Sequence, residues 1–171
     1  MKNIIFLIDT LEIGGAENSL LSVYKNLKPK FDVSITVFKS SDKKLKLNLS
    51  EIKAKRIFSF KSIFSLTNIF LQKKRSTILC FAPEIAAVAN IINLFIFKKH
   101  KIVLSFRNSF LYYSTFNKFY VYLLFLVACL PSDAFHFLTE SNKNSYSKIP
   151  FFENFLNKKK FTIIPNYLRN W

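Results

Sequence analysis

Two adjacent glycines, Gly14 and Gly15, are the only glycines in this chain of 171 residues, and they follow shortly behind an apolar run. Average usage near 7% predicts about twelve glycines at this length. A glycine pair between a strand and a helix lets the backbone turn tightly and approach a ligand closely, with N–H groups facing negative charge. The motif "GGAENS" matches neither GxGxxG nor GxxxxGK[ST]. The pair alone therefore fits a phosphate-binding loop and a plain tight turn equally well.

The two cysteines and two histidines offer little further chemistry. Cys80 and Cys129 lie within apolar sequence and form no CxxC pair, so we expect buried thiols in a reducing compartment. His100 and His136 have no His, Cys or Asp cluster at ligand spacing, so we expect no metal site. No serine has the glycine setting of a nucleophile elbow, which argues against acyl transfer.

The elements that would position these residues alternate between short apolar β-type runs and longer helical patterns. This alternation predicts one doubly wound α/β domain over residues 1–171, with a mainly parallel sheet. The expected strands are 3–8, 33–38, 56–60, 77–82, 101–106, 134–138 and 161–165. The expected helices are 16–27, 62–73, a long helix opened by Pro83 and Glu84, 116–130 and 141–148.

The residues just past each strand are the candidates for ligand contact. In doubly wound sheets the ligand site lies outside the carboxyl ends of the strands. The segments that this rule selects are 10–15, 82–84, 107–109, 139–141 and 165–166.

The net charge of +16 favours an anionic neighbour: a membrane surface, a phosphorylated substrate or a nucleic acid. The basic residues form small groups where we expect loops or helix ends, and solvated faces explain any single group. The aromatic residues fall in apolar runs that suit a core and form no RNA-binding strand motif, so we expect no nucleic-acid partner.

The apolar runs are too short for a membrane-spanning helix. The longest, "FYVYLLFLVACL" at 119–130, falls well below the roughly 20 residues that a span requires. It fits a buried core helix, and a helix lying in the membrane interface stays open. The N-terminal apolar stretch is too short for a secretory signal. We therefore expect a cytoplasmic protein, peripheral at the inner face of the plasma membrane if it binds lipid.

Four segments resemble the N-terminal domain of glycosyltransferase family 4, whose members are retaining enzymes of the GT-B architecture. "IGGAE" follows the first strand, and "VLSFRNS" looks like the family's strand with its short SxRN loop. "SDAFHFLTESNKNSY" is similar to a strand that leads to an acidic-capped helix. "FTIIPNYLRNW" resembles the strand at which the family's chain leaves the first domain. The four occur in the family's order across nearly the whole chain.

The resemblance implies roles for the residues in these motifs. Gly14 and Gly15 would hold a loop beneath the donor diphosphate. Arg107 would be the catalytic residue, at the family position close to the sugar, where it could neutralise phosphate or orient the acceptor. Because arginine is always charged, it could not act as a base. Asn108, beside it, would contact substrate.

Three further positions carry an alternative. Glu140 could contact the acceptor, although capping of its helix is the stronger expectation. Asn166 could line the interdomain cleft or be a turn residue after Pro165. Asp9 could reach the cleft or end its strand, and the helix macrodipole best explains Glu84.

The implied reaction is transfer of a sugar from a nucleotide-sugar, with no other cofactor, to a glycan or polyprenyl-diphosphate-linked acceptor in bacterial surface polysaccharide biosynthesis. Family members hold the donor mainly with a second, C-terminal domain that we do not find in this sequence. The chain is therefore expected to be truncated or to pair with a separately encoded half, and to be inactive alone. The alternative is a non-catalytic peripheral membrane or acceptor-binding module.

Overall fold

A computed structural model describes most of the chain. The described residues are 2–11, 15–39, 49–54, 56–108, 110–113, 115–147, 149 and 151–163. Gly14 and Asn166 lie outside them.

Within the described residues, the centre of the fold is a seven-stranded sheet in which every paired strand runs parallel to its neighbours. Its order is β3-β2-β1-β4-β5-β6-β7. The strands are β1 (Asn3–Ile8), β2 (Asp32–Val37), β3 (Leu49–Glu51), β4 (Ser76–Cys80), β5 (Lys101–Phe106), β6 (Ala134–Phe137) and β7 (Lys160–Ile163). The predicted doubly wound α/β fold is confirmed.

Helices cover both faces of this sheet. They are α1 (Gly15–Leu27), α2 (Phe60–Gln72), α3 (Pro83–Phe95), α4 (Phe110–Tyr113), α5 (Lys118–Cys129), α6 (Glu140–Tyr146) and α7 (Phe152–Lys158). Leu20 and Tyr24 of α1 pack on one face with residues of β1 and β2. The buried residues of the other helices pack together with the opposite face. The helix α1 therefore lies on one face of the sheet, and the later helices lie on the other. This follows from right-handed crossovers, because the chain leaves β1 in one direction along the sheet and adds β4 to β7 in the opposite direction.

Short polar residues start several of the helices. Ser59 caps α2 by accepting a hydrogen bond from the Ser62 N–H at 3.2 Å. The side chain of Asn117 accepts from the first turn of α5, and Thr139 accepts from the Asn142 N–H at the start of α6. Pro83 occupies the first turn of α3, where its missing N–H has no helical partner to lose.

The core beside β5 is built from aromatic rings. Phe106 stacks on Phe137 with ring centroids 4.8 Å apart and lies 4.4 Å from the ring of Tyr146. Phe125 and Phe152 complete the cluster at 6.2 Å and 5.5 Å from Phe106. These aromatic pairs add to ordinary apolar burial, so the phenylalanine-rich composition serves the core here.

His100 links three elements at the amino ends of the strands. Its Nδ1 accepts from the Ser76 N–H at 3.2 Å, so the proton is on Nε2, which lies 3.0 Å from the Phe70 carbonyl oxygen. The Asn93 side chain bonds the backbone of His100 twice: its Oδ1 accepts from the His100 N–H and its Nδ2 donates to the His100 carbonyl oxygen, both at 2.9 Å. Burial lowers the pKa of the imidazole. His100 is a structural residue, and it holds α2, α3 and β4 together.

The structure corrects the predicted third strand at 56–60. Residues 57 and 58 form a turn, and Ser59 and Phe60 cap and begin α2. The third strand is instead Leu49–Glu51, which pairs with β2. The run "RIFSF" has the alternation of a strand, but Ile57 and Phe58 form a turn. Phe60 does not face the core, since it is 94% exposed. Ser59 caps the first turn of α2, so this segment begins a helix in spite of its strand-like alternation.

Smaller differences concern helices and cysteines. The sequence showed no signal for α4 or α7, and the helix predicted at 116–130 begins at Lys118, after its asparagine cap. Cys80 and Cys129 are buried and unpaired, as predicted, and burial raises the pKa of each thiol. Among the helices that the structure describes, none combines the length and apolarity that a membrane span requires.

Candidate functional site

The strand order reverses between β1 and β4, where β2 lies on one side and β5 on the other. At such a switch point the segments after the strands diverge and leave a crevice at the carboxyl ends of the strands, here called the carboxyl edge. Asp9, Lys39 and Glu84 lie at this edge after β1, after β2 and at the start of α3. Arg107 follows β5. Glu84 and Arg107 belong to segments that the sequence selected, whereas Lys39, after β2, was not among them.

Arg107 is held between two loops of the carboxyl edge. Its guanidinium carbon lies 4.5 Å from the ring centroid of Phe81, which follows β4. Its Nη1 donates a hydrogen bond to the Ser19 hydroxyl of α1 at 3.1 Å. Stacking and hydrogen bonding together fix the planar guanidinium in one orientation.

This position places a permanent cation close to the beginning of a helix. Ser19 lies about one turn after Gly15, the first residue of α1. The partial positive charge of a helix N-terminus and the charge of Arg107 act in the same direction. The corner formed by Arg107, Phe81 and the start of α1, called the arginine corner, therefore favours an anion.

Gly15 contributes to this corner without an unusual backbone conformation. It is helical, and no glycine of the described residues has a positive φ. The phosphate-loop role of the glycine pair stays a prediction, since Gly14 falls outside the described residues.

Asn108 is tied to α6 through its backbone. Its carbonyl oxygen accepts hydrogen bonds from the Tyr146 hydroxyl at 2.6 Å and from Asn142 Nδ2 at 2.9 Å. The Asn108 side chain is on the exposed surface. The backbone after β5 is therefore anchored to α6 at Asn108, and the Asn108 side chain is exposed next to Arg107 in the chain.

Glu140 lies in the first turn of α6. Its carboxylate accepts from Lys143 Nζ at 2.5 Å, and the Glu140 side chain is 57% exposed. An acidic residue here interacts favourably with the positive end of the helix. Its pairing with Lys143 in the same helix agrees with a structural role for Glu140 at the start of α6. Its substrate contact stays a prediction, as does that of Asn166.

Glu84 is part of a second arrangement on the same edge. Burial raises the pKa of its carboxyl, and the charge of Asp9 adds to the rise, whereas hydrogen bonds from its own backbone and from Tyr113 lower the pKa. The Tyr113 hydroxyl lies 3.5 Å from Glu84 Oε2. Asp9 pairs with Lys39 at 2.7 Å.

These groups border an open cleft of about 460 Å³, called the glutamate cleft. It is lined by Lys39, Arg56, Ile57, Phe58, Glu84 and Tyr120. The sequence placed Glu84 at a strand end but gave it a purely structural role. Arg56 and Tyr120 carried no functional signal, because one lay in an expected strand and the other in an apolar run.

The part of the chain that the structure describes contains no group of three or more His, Cys, Asp or Glu residues that could hold a metal ion. The described side chains at the carboxyl edge include the fixed positive charge of Arg107 and the partly buried carboxyl of Glu84. Such groups bind and orient polar and anionic ligands.

Comparison with known proteins gives matches to solved structures only. No family model matches the chain, and no curated protein sequence does. HepE from Anabaena, solved in complex with UDP and glucose, is 14% identical, with a TM-score of 0.70 over 98% of this chain and 45% of that chain. The lipopolysaccharide outer core galactosyltransferase WaaB, in its apo form, is 13% identical, with a TM-score of 0.69 over 98% of this chain and 46% of that chain.

The likeness shows the fold. This chain has the architecture of one Rossmann-like half of a GT-B structure. It spans less than half the length of each of these two neighbours.

Proposed function

We propose that this chain is the acceptor-side half of a retaining family 4 glycosyltransferase. The reaction is transfer of a sugar from a nucleotide-sugar to a glycan or polyprenyl-diphosphate-linked acceptor in bacterial surface polysaccharide biosynthesis. The observation that carries this proposal is the arginine corner, where Arg107 is fixed beside the start of α1 at the carboxyl edge. The two structural neighbours support it, since one was solved with UDP and glucose and the other is a galactosyltransferase.

The arginine corner would act on the departing diphosphate. When the bond between sugar and diphosphate breaks, negative charge grows on the phosphate oxygens. A guanidinium held by Phe81 and Ser19, together with the N–H groups at the start of α1, stabilises that charge without having to reorganise. In this role Gly14 and Gly15 let the phosphate approach the backbone, and Asn108, Glu140 and Asn166 contact the substrates around it.

This half would hold only part of the donor. The nucleotide would be bound by a second Rossmann-like half, supplied by the same polypeptide or by a separate chain. The 171-residue protein alone is then inactive, because its donor site is incomplete.

The test is reconstitution. The chain is assayed alone, and then joined to or mixed with a donor-binding half encoded beside it, by measuring UDP release from UDP-glucose and UDP-galactose with a lipid extract as acceptor. We expect release above background only when both halves are present. Full turnover by the 171-residue chain alone would contradict the proposal.

A second candidate function is a non-catalytic module bound peripherally to the inner face of the plasma membrane. Large apolar side chains are exposed along α2, α3 and α5, among them Phe64 at 70%, Phe95 at 81% and Phe119 at 77%. An apolar surface on a chain with a net charge of +16 suits an anionic membrane.

Sedimentation with vesicles tests this second function. We expect binding to vesicles that contain phosphatidylglycerol, weakened by salt because the lysine contribution is screened. Absence of binding at low salt would exclude it.

A further inference from the structure

Helix α5 is apolar on all sides. Its inner side is buried in the core. Its outer side carries Phe119, Leu123 and Leu126, and Leu130 continues that side at the end of the helix; these four residues are between 42% and 77% exposed. Lys118, the first residue, is the only charged residue of the helix. Because a helix that is apolar all round is normally buried on every side, the outer side of α5 is a candidate contact surface.

The outer sides of α3 and α2 continue this surface. Both helices cover the same face of the sheet as α5, and α3 packs against both α2 and α5. Ile91 of α3 and Leu123 of α5 line one groove of about 190 Å³. The two helices expose six further large apolar side chains, namely Ile91, Leu94 and Phe95 on α3 and Phe60, Phe64 and Leu71 on α2. These six and the four of α5 form one surface, called the outer face.

The loop after α3 holds one more phenylalanine in solvent beside this surface. Phe97 is 95% exposed, and Phe97 and Lys98 both have a positive φ, of 59° and 53°. The left-handed region is unfavourable for residues that carry a Cβ, so this conformation costs free energy. Backbone strain of this kind clusters in segments that bind or switch. Phe97 gains almost no burial within its own chain, and a contact with another molecule would supply that burial.

The outer face is large enough for a stable dimer. A large apolar side chain that is about half exposed leaves roughly 100 Å² open to water. The ten residues of the outer face together with Phe97 therefore expose about 1,000 Å². A stable protein–protein interface of standard size needs about 800 Å² from each partner. The groove between α3 and α5 is a hole of the kind that a side chain of a facing helix fills.

The distribution of charge favours a second copy over an anionic partner. Lys61, Glu84 and Lys118 are the only charged residues of α2, α3 and α5, and each lies in the first turn of its helix. A surface that binds an anionic membrane or an acidic protein carries cations across it, whereas the core of a protein–protein interface is rich in aromatic residues and poor in charge. With a net charge of +16, two copies avoid like-charge contacts only where charge is absent from the surface.

We infer that the chain forms a twofold symmetric dimer through the outer face. The helices α2, α3 and α5 of one copy pack on the same three helices of the other, because an uncharged apolar surface complements itself. The carboxyl edge is not part of the outer face, so it stays open in the dimer. The inference does not depend on transferase activity. It competes with the membrane-bound candidate function, which uses the same exposed side chains.

Analytical ultracentrifugation of the 171-residue chain tests the inference. We expect one species of twice the monomer mass of 20.0 kDa, formed with a Kd below about 10 µM. Because the contact is apolar and the two copies repel each other through their net charge, added salt should leave the dimer intact or tighten it. Monomer mass at every concentration up to about 100 µM would overturn the inference, as would open-ended aggregates or a dimer that salt dissociates.

A matched pair of variants locates the interface. Leu123→Asp buries two unpaired carboxylates in each dimer and should raise the Kd about 100-fold. Leu111→Asp is the control, because Leu111 is 69% exposed on α4 and lies outside the outer face. It should keep the wild-type Kd. If the two variants dimerise alike, the outer face is not the interface.

Phe97→Asn provides a second test that does not disturb the core. Asparagine tolerates the left-handed region better than phenylalanine, so the variant should be at least as resistant to urea as the wild type. Loss of the ring should nevertheless raise the Kd of the dimer about tenfold. An unchanged Kd would remove Phe97 from the interface. Circular dichroism confirms that each variant has folded before it is sedimented.

Vesicles identify the competing occupant. The chain is sedimented with vesicles of phosphatidylglycerol and phosphatidylcholine under the same conditions. If the chain is a monomer that binds these vesicles, and if Leu123→Asp abolishes that binding while Leu111→Asp does not, the outer face is a membrane surface and the dimer is overturned.

Discussion

The arginine corner and the glutamate cleft lie on the same carboxyl edge, yet they differ in how their charges are arranged. In the arginine corner, Arg107 reinforces the positive start of α1. In the glutamate cleft, Glu84 is partly buried near Asp9, and the nearby cation Lys39 is paired with Asp9. The arginine corner favours a group with high negative charge. The glutamate cleft has charges of both signs and suits a polar group that carries hydroxyls. Under the proposed function, the donor diphosphate and the acceptor would therefore meet different surfaces.

Removal of the Arg107 charge should have the largest effect. In the reconstituted pair, we expect Arg107→Ala to lower kcat by about 10²–10³, as loss of a fixed group that stabilises transition-state charge does. Arg107→Lys keeps the charge but loses the planar guanidinium that lies over the Phe81 ring. Its kcat should lie between that of the wild type and that of Arg107→Ala. Initial rates at saturating donor measure the effect.

Arg75 is the matched control for this prediction, because it is an exposed arginine just before β4, at the amino ends of the strands. Arg75→Ala should keep the full rate. Equal losses in Arg75→Ala and Arg107→Ala would remove the special status of the arginine corner.

The support beneath the arginine corner can be weakened without touching the corner itself. Tyr146→Phe deletes the hydroxyl that donates to the Asn108 carbonyl, and Asn142 remains as the second donor. We expect a loss of about 1 kcal/mol in the free energy of unfolding, measured by urea titration. Tyr112→Phe, at a 54% exposed position, is the control and should change little.

Glu84 gives the cleft a pH dependence of definite sign. Its pKa in the folded state lies above its ordinary value of 4.5, so between these two pKa values the folded state holds more protons than the unfolded state. Stability therefore falls as the pH rises through that window. In urea titrations from pH 4 to 8, the stability of the wild type relative to Glu84→Gln should fall as the pH rises, because the opposite contribution of His100 is common to both proteins. Parallel profiles would show that Glu84 is not the source.

Glu140 should show the smallest effect. The Glu140 side chain of its ion pair with Lys143 is 57% exposed, so Glu140→Gln should change the unfolding free energy by less than about 1 kcal/mol. A large drop in transferase rate in the same variant would instead assign Glu140 to the substrate. Rate and stability measured side by side separate its two alternatives.

The sequence predicted one side of this comparison better than the other. Arg107 followed a clear apolar strand, and the topology of a doubly wound sheet was enough to place it at the edge. The glutamate cleft combines Lys39, Arg56, Glu84 and Tyr120 from four separate segments. No local pattern announces that combination, because it depends on how α5 packs beside α3.

The errors in the fold have a similar cause. β3 has only three residues, "LSE", with no apolar alternation to reveal them, and it forms because β2 offers a free edge. The run at 56–60 carried the stronger strand pattern, but Ser59 was able to begin a helix there. Pairing partners and caps thus decided these segments, and both depend on contacts that a short window does not contain.

The hydrogen bonds of His100 make one end of the molecule sensitive to mild acid. The folded pKa of this imidazole lies below its ordinary value of 6.5, so stability falls as the pH drops through that interval. Protonated Nδ1 would confront the Ser76 N–H, and two donors cannot share a bond. Acidification should therefore loosen the amino ends of the strands first. The carboxyl edge lies at the far end of the same strands, so early acid damage begins remote from the proposed substrate site.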